Sequence, residues 1–257
     1  MRQSIHQQSH YVGVCSMGLL ASVFLCAVFA GFALVPSGAA LADEVVSTEA
    51  GRIARGGRLY DKWYAVIGAE KLTETHTAWP ASNTKKKGNT TWRCKSCHGW
   101  DNLGKDGAYA SGSYQTGIIG VRGLAGADQA KIIAIIKDDT HGLAGKMDDR
   151  DFADLALFIS VGLTDMDKYI DRASKGPKGD KAKGQVYFET VCANCHGAKG
   201  TKVKDMDALG KQMGNPWEVL HKIRYGQPKE QMPALVAFDP QISVDIMAYI
   251  ATLPKEK

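Results

Sequence analysis

An all-α fold is predicted by three features of this 257-residue chain. The pentapeptide Cys94-Lys95-Ser96-Cys97-His98 recurs ninety-eight positions later as Cys192-Ala193-Asn194-Cys195-His196, and each pair of thiols sits one helical turn apart. Each half of the chain closes in an amphipathic helix pattern. Strand signals are weak throughout.

The elements follow in order. Val12 to Val35 is an apolar run without a charged side chain, preceded by Arg2 and followed by Ala40-Leu41-Ala42, a small-x-small cleavage signature before Asp43. Residues 1–42 therefore read as a signal peptide; the run is also long enough to span a bilayer, which leaves an uncleaved N-terminal anchor as the alternative. Cys15 and Cys26 lie inside it and are given no role. Without residues 1–42 the chain keeps 215 residues, enough for two domains of roughly 100 each. The formal charge falls from +5 to +4, because Arg2 is the only charged side chain removed. So small a charge excludes a strongly basic nucleic-acid binder, and no nucleic-acid partner is expected.

The first half spans 43–165. Arg52 to Ile67 has helical spacing, with Gly57 and Tyr60 three apart, so that a second helix can cross the bare backbone beside the ring. An insertion of about 65–92 carries His76, Trp79, Pro80, the run Lys85–Lys87 and Trp92. It reads as a surface excursion packed by its tryptophans, or as a docking or gating loop. A Gly-rich loop after the first pentapeptide leads to a short helix from Asp128 to Lys137. A terminal helix capped by Asp148 then aligns Phe152, Leu155, Phe158 and Ile159 on one face. Residues 166–181, which include Lys175-Gly176-Pro177-Lys178-Gly179-Asp180, read as a linker. The second half, 182–257, repeats the plan with Gly184 and Tyr187, the second pentapeptide and a middle helix from Pro216 to Tyr225. Its terminal helix starts at Asp239-Pro240 and aligns Ile242, Ile246, Tyr249, Ile250 and Leu253.

C-x-x-C-H is the attachment motif of c-type haem: the thiols form thioethers to the vinyl groups, and the adjoining imidazole ligates iron. Two copies imply two covalently bound haem c groups, one through Cys94, Cys97 and His98 and one through Cys192, Cys195 and His196. A zinc site or a redox dithiol would use the thiols but requires no His directly after the second Cys. These four cysteines are all that remain after residue 42, so none is left for a structural disulfide.

Helix, motif, loop, middle helix, ligand loop and terminal helix, in that order, resemble the class I c-type cytochromes over about residues 50–163 and 180–254. The resemblance implies two such domains in tandem, each a few helices wrapped around one haem, and attachment of haem outside the cytoplasmic membrane. The expected location is the periplasm or the outer face of the inner membrane. Gln231-Met232-Pro233-Ala234 is similar to the family's Met-Pro ligand loop, which implies Met232 as the second iron's sixth ligand ahead of Met206, Met213 and Met247. The first half has no Met-Pro. Met232 precedes Asp239 by seven residues and Tyr249 by seventeen, and the same counts back from Asp148 and Phe158 both reach His141. His141 is therefore preferred. Met147 is the rival, but it aligns with Phe238 just before the cap, where a hydrophobic staple is expected. His76 is a third candidate, and His221 on the middle helix reads as packing against the surface.

His/Met ligation raises a reduction potential relative to bis-His, so the first haem is expected to be the lower in potential. The expected function is electron transfer between periplasmic or membrane-bound redox proteins, with membrane contact only if residues 1–42 are retained. No catalytic residue is assigned. The alternatives are a haem enzyme, either a dihaem oxidoreductase of an inorganic sulfur compound or a peroxidase, and a dedicated cytochrome subunit of a dehydrogenase complex. No spare Cys after residue 42 offers the cysteinate ligation a sulfur-oxidising haem would use. Lys85, Lys86, Lys87, Lys95, Lys199, Lys202 and Lys204 gather near the motifs, as a solvated face or as a docking patch for an acidic redox partner.

Overall fold

The structure, a computed structural model, describes residues 48–257. The expected signal or anchor segment, with Cys15 and Cys26, lies outside them. Nine α-helices are found among the described residues: α1 Glu49–Val66, α2 Cys94–His98, α3 Gln129–Ile136, α4 Asp149–Leu157, α5 Lys181–Tyr187, α6 Ala193–His196, α7 Leu209–Gln212, α8 Pro216–Tyr225 and α9 Pro240–Ile250. The described residues contain no strand, only isolated bridges between Gly104 and Ile119 and between Ile170 and Pro177. None of these helices is long and apolar enough to cross a membrane.

The helix starts follow local chemistry. Asp128 accepts from the Lys131 amide at 3.0 Å, and Asp239 accepts from the Gln241 amide at 2.7 Å ahead of Pro240 at the first helical position. Asp148 accepts from the Asp151 amide at 2.8 Å while Asp151 returns the bond to the Asp148 amide at 3.1 Å, a reciprocal capping box. Each such cap stabilises its helix by about 1 kcal/mol.

Two helix crossings organise the molecule. At the first, a Cβ on Gly56 of α1 would overlap the Asp154 carbonyl oxygen of α4 and lie 2.6 Å from the Phe158 Cβ. At the second, a Cβ on Gly184 of α5 would overlap the Asp245 carbonyl oxygen of α9. An aromatic pair closes each crossing one turn on, Tyr60 with Phe158 at 5.4 Å between centroids and Phe188 with Tyr249 at 5.3 Å. The pairs are thus Gly56–Tyr60 and Gly184–Phe188, four residues apart, rather than the three-residue spacing expected from Gly57 and Tyr187. Gly57 instead receives Tyr225 of α8, whose Cβ would stand 2.6 Å from an added methyl group. Both crossings carry a buried carboxylate: Asp154 accepts from Arg52 at 2.8 Å and Arg55 at 3.1 Å, and Asp245 from the Asp180 amide and the Gln241 side chain at 2.9 Å each.

Two apolar cores result. The first contains Tyr60, Trp63, Ile132, Phe152, Leu155, Phe158 and Ile159, and the second Phe188, Trp217, Leu220, Ile223, Val244, Ile246, Met247 and Ile250. In α9, Val244 and Met247 take places in the core while Ile242 and Tyr249 stay half-buried. The cores exchange side chains, because Tyr225 of α8 belongs to the first, and Trp100 and Tyr109, from the loop after α2, belong to the second. The described residues accordingly belong to one compact unit. The Lys175–Asp180 stretch is docked as well: the Lys178 amide donates to the Tyr169 carbonyl at 2.7 Å, and Gly179 lies against the Val244 backbone.

Polar groups are sealed where α8 meets α1. Asp61, 1% exposed, is paired with both Arg93 and Lys222. Burial would raise its pKa, but Lys222 and Arg93 outweigh that and lower it to about 2. His221 does not lie at the surface as expected from its helix. It is fully buried among the Tyr60, Trp100, Phe158 and Tyr225 rings, and its Nε2 donates to the Gly57 carbonyl at 2.9 Å. Burial lowers its pKa to about 4.

Candidate functional site

The first pentapeptide is one helical turn fixed at both ends. Before it, Arg93 is held by Asp61, through the ion pair and through its Nε donating to the Asp61 carbonyl at 2.7 Å. After it, Gly99 takes φ +81°, a conformation that suits glycine, and its carbonyl accepts from the buried Tyr60 hydroxyl at 2.7 Å. Asp101, fully buried, then pins the following loop by accepting from the Ala108 amide at 2.7 Å and Arg172 at 2.9 Å.

Cys94, Cys97 and His98 open onto a cavity of about 670 Å³, walled by apolar side chains that include Val121, Leu124, Ile132, Ile136, Leu155 and Ile159. That volume falls in the range of cofactor sites, roughly 300–1,000 Å³. Burial pushes the Cys94 thiol up to about 12 and the Cys97 thiol to about 11, so both are protonated at neutral pH. The His98 Nδ1 donates to the Ile119 carbonyl at 2.7 Å, which fixes the tautomer and leaves Nε2 with its lone pair. Burial lowers the His98 pKa, keeping the ring neutral.

His141 lines the same cavity. Its Nδ1 donates to the Asp138 carboxylate at 2.9 Å, and the same oxygen accepts the His141 amide at 2.9 Å. Those two bonds lower the Asp138 pKa. The His98 and His141 rings stand with centroids 6.2 Å apart and planes at 26°. Met147, the rival to His141, is buried in the first core and is not among the residues lining the cavity. His76 also lines it, but its Nδ1 accepts from the Ala78 amide and its Nε2 bonds the His141 carbonyl, both at 3.0 Å, so neither nitrogen is free. An apolar chamber lined by two thiols and two imidazoles fits a covalently attached haem.

The second pentapeptide continues α5 through a π-helical turn, Phe188–Cys192, into α6. It is more open than the first, with Cys195 exposed and Cys192 and His196 half-buried. Burial still pushes the Cys192 thiol up to about 11 and lowers the His196 pKa. The His196 carbonyl accepts from the Lys202 amide at 3.0 Å, while its Nδ1 is buried without a partner, unlike that of His98. Met232, Met213 and Cys192 all pack half-buried against the second core. The segment after Met232 is clamped by the buried Arg224, which donates to the carbonyls of Leu235 at 2.8 Å, Val236 at 3.1 Å and Phe238 at 2.7 Å.

Several of these partners escape a reading of the sequence. Asp138 stands three residues before His141, a spacing at which an Asp commonly bonds the following backbone; the Ile119 carbonyl and Arg224 carry no such signal. Lys95, grouped with the surface lysines, is 3% exposed, with its Nζ 4.2 Å from the Tyr114 ring centroid and 4.9 Å from that of Trp100. Burial lowers its pKa to about 7, and it takes no part in a docking patch.

Residues 179–250, which include the second pentapeptide, α8 and all of α9, match the family described as cytochrome c oxidase, cbb3-type, subunit III. No curated protein and no solved structure matches the chain. This C-terminal stretch, helical and free of strands, is therefore a c-type cytochrome domain, with the covalently bound haem c and the electron-carrier role that such a domain implies.

Proposed function

We propose that the chain is an exported dihaem carrier that passes electrons between periplasmic or membrane-bound redox proteins. One haem is attached in each half, so that the two halves form a tandem pair within 43–165 and 182–257. The observation that carries this reading is the first cavity. It lies outside the matched stretch, yet it brings Cys94, Cys97, His98 and His141 to one apolar chamber, with the Nδ1 of each imidazole held by a neighbouring oxygen. The repeated crossings at Gly56 and Gly184 support the tandem plan.

Haem bound there supplies one-electron redox chemistry. His98 and His141 would hold the first iron, with the Ile119 carbonyl and Asp138 orienting them. His196 and Met232 would hold the second, with Arg224 bracing the loop after Met232. The apolar walls would exclude water from the first site, and the unlike ligand pairs would set the first potential below the second. Near-infrared magnetic circular dichroism of the oxidised protein, with an intact mass and a potentiometric titration, tests all of this. The expected result is two haems by mass, one bis-His and one His/Met signature, and two separated potentials. Two identical His/Met signatures refute the role of His141, and a mass with one haem refutes the dihaem reading.

A further inference from the structure

We infer that His76, carried by the insertion, is a positioning residue that latches the His141 loop over the first haem cavity. The inference rests on the reading of His141 as an axial ligand.

Three observations carry it. The first is protonation: Nδ1 of His76 accepts the Ala78 N–H at 3.0 Å, so the ring proton resides on Nε2, which donates to the His141 carbonyl at 3.0 Å. The second is rigidity: the His76 ring lies 4.2 Å from Trp92, and the His76 amide donates to the Thr91 hydroxyl at 2.9 Å. Thr91 is buried and itself donates to the Gly88 carbonyl at 2.6 Å, so the donor is presented from a braced turn directly before the first pentapeptide. The third is the weakness of the rest of the ligand loop. His141 and Asp138 bond each other within four residues, and Gly142 and Gly145, at φ +57° and +73°, both follow the ligand. Arg224 grips three carbonyls of the other half's loop; here the bond from His76 ties the carbonyl of His141 to the turn beneath it.

With haem bound, the latch would hold His141 over the cavity, and removing it would let His141 leave. The experiment compares His76→Phe, which keeps a ring against Trp92 but has no donor, with His76→Gln, which restores a side-chain N–H at similar reach. Carbon monoxide binding to the reduced full-length holoprotein is followed by stopped flow, and the bis-His signature of the oxidised protein is recorded in parallel. The Phe variant is expected to bind carbon monoxide about tenfold faster than wild type, the factor that one net hydrogen bond produces in a local opening equilibrium. The Gln variant should stay within about threefold of wild type. Wild-type kinetics in the Phe variant with the bis-His signature intact overturn the latch and leave the ligand assignment standing. Equal acceleration in both variants overturns it too, because the donor would then not be what matters. Absence of a bis-His signature in wild type overturns the ligand assignment itself. Haem content and far-ultraviolet circular dichroism equal to wild type establish that each variant has folded.

Discussion

Asp61→Asn should be among the most damaging conservative substitutions in the chain. Asn keeps the shape of the side chain, and the bond from Arg93 to the backbone carbonyl of residue 61 is untouched. What disappears is the one carboxylate that, among the described residues, pairs with Arg93 and Lys222, whose side chains are 17% and 16% exposed. Removing one member of a buried ionic cluster costs about 3–5 kcal/mol, because the cations left behind are poorly hydrated. Linkage gives a separate figure: a carboxyl lowered from 3.8 to about 2, at 1.36 kcal/mol per pH unit, contributes about 2 kcal/mol. A loss of about 3 kcal/mol lies between the two, and in a unit of this size it lowers Tm by about 6–12 °C. The contribution is complete above pH 4, where the unfolded carboxyl is ionised, and is lost as pH falls through about 2. Urea unfolding of the holoprotein, followed by circular dichroism from pH 7 down to pH 2, measures both features. The gap between wild type and variant should narrow in the acid limb, and adding Lys222→Met should recover part of it. A variant within about 0.5 kcal/mol of wild type at pH 7, or a gap that ignores pH, would refute the reasoning.

Two further outcomes follow from the packing. Gly56→Ala places a methyl group on the Asp154 carbonyl, where backbone must move, and should cost about 3 kcal/mol or more; Gly51→Ala, at the exposed start of α1, serves as the control and should change the urea midpoint little. His221 concerns pH between 6.5 and about 4, where the unfolded chain takes up a proton that the buried ring refuses, so wild type loses about 3 kcal/mol across that interval. His221→Phe should flatten that limb, and parallel urea midpoints for the two proteins at pH 7 and pH 4.5 would falsify the account.

Local signals were legible where the interaction is local. The caps at Asp128, Asp148 and Asp239 lie within three residues of the amides they satisfy, and each thiol pair lies within one turn. Counting back from Asp148 reaches His141 because α4 and α9 both begin at a capping Asp, and His141 lines the same cavity as His98. The choice between Gly56 and Gly57 was not legible. Adjacent glycines leave both faces of α1 bare, and only the arrival of α4 on one side and α8 on the other decides which residue meets which helix. Asp61 and Lys222 are 161 residues apart, and nothing beside either announces the pair. Lys95 and His221 were misjudged for the same reason, since the rings that bury them come from distant segments, Tyr114 over one and Tyr60 with Phe158 over the other.

α8 turns His221 and Tyr225 toward the first core and Leu220 and Ile223 toward the second. A helix shared in this way removes the hinge that a two-part carrier would otherwise possess. In the proposed dihaem carrier, exchange between the two sites would then wait on no diffusive swing of one half against the other, and its rate should be indifferent to the viscosity of the medium.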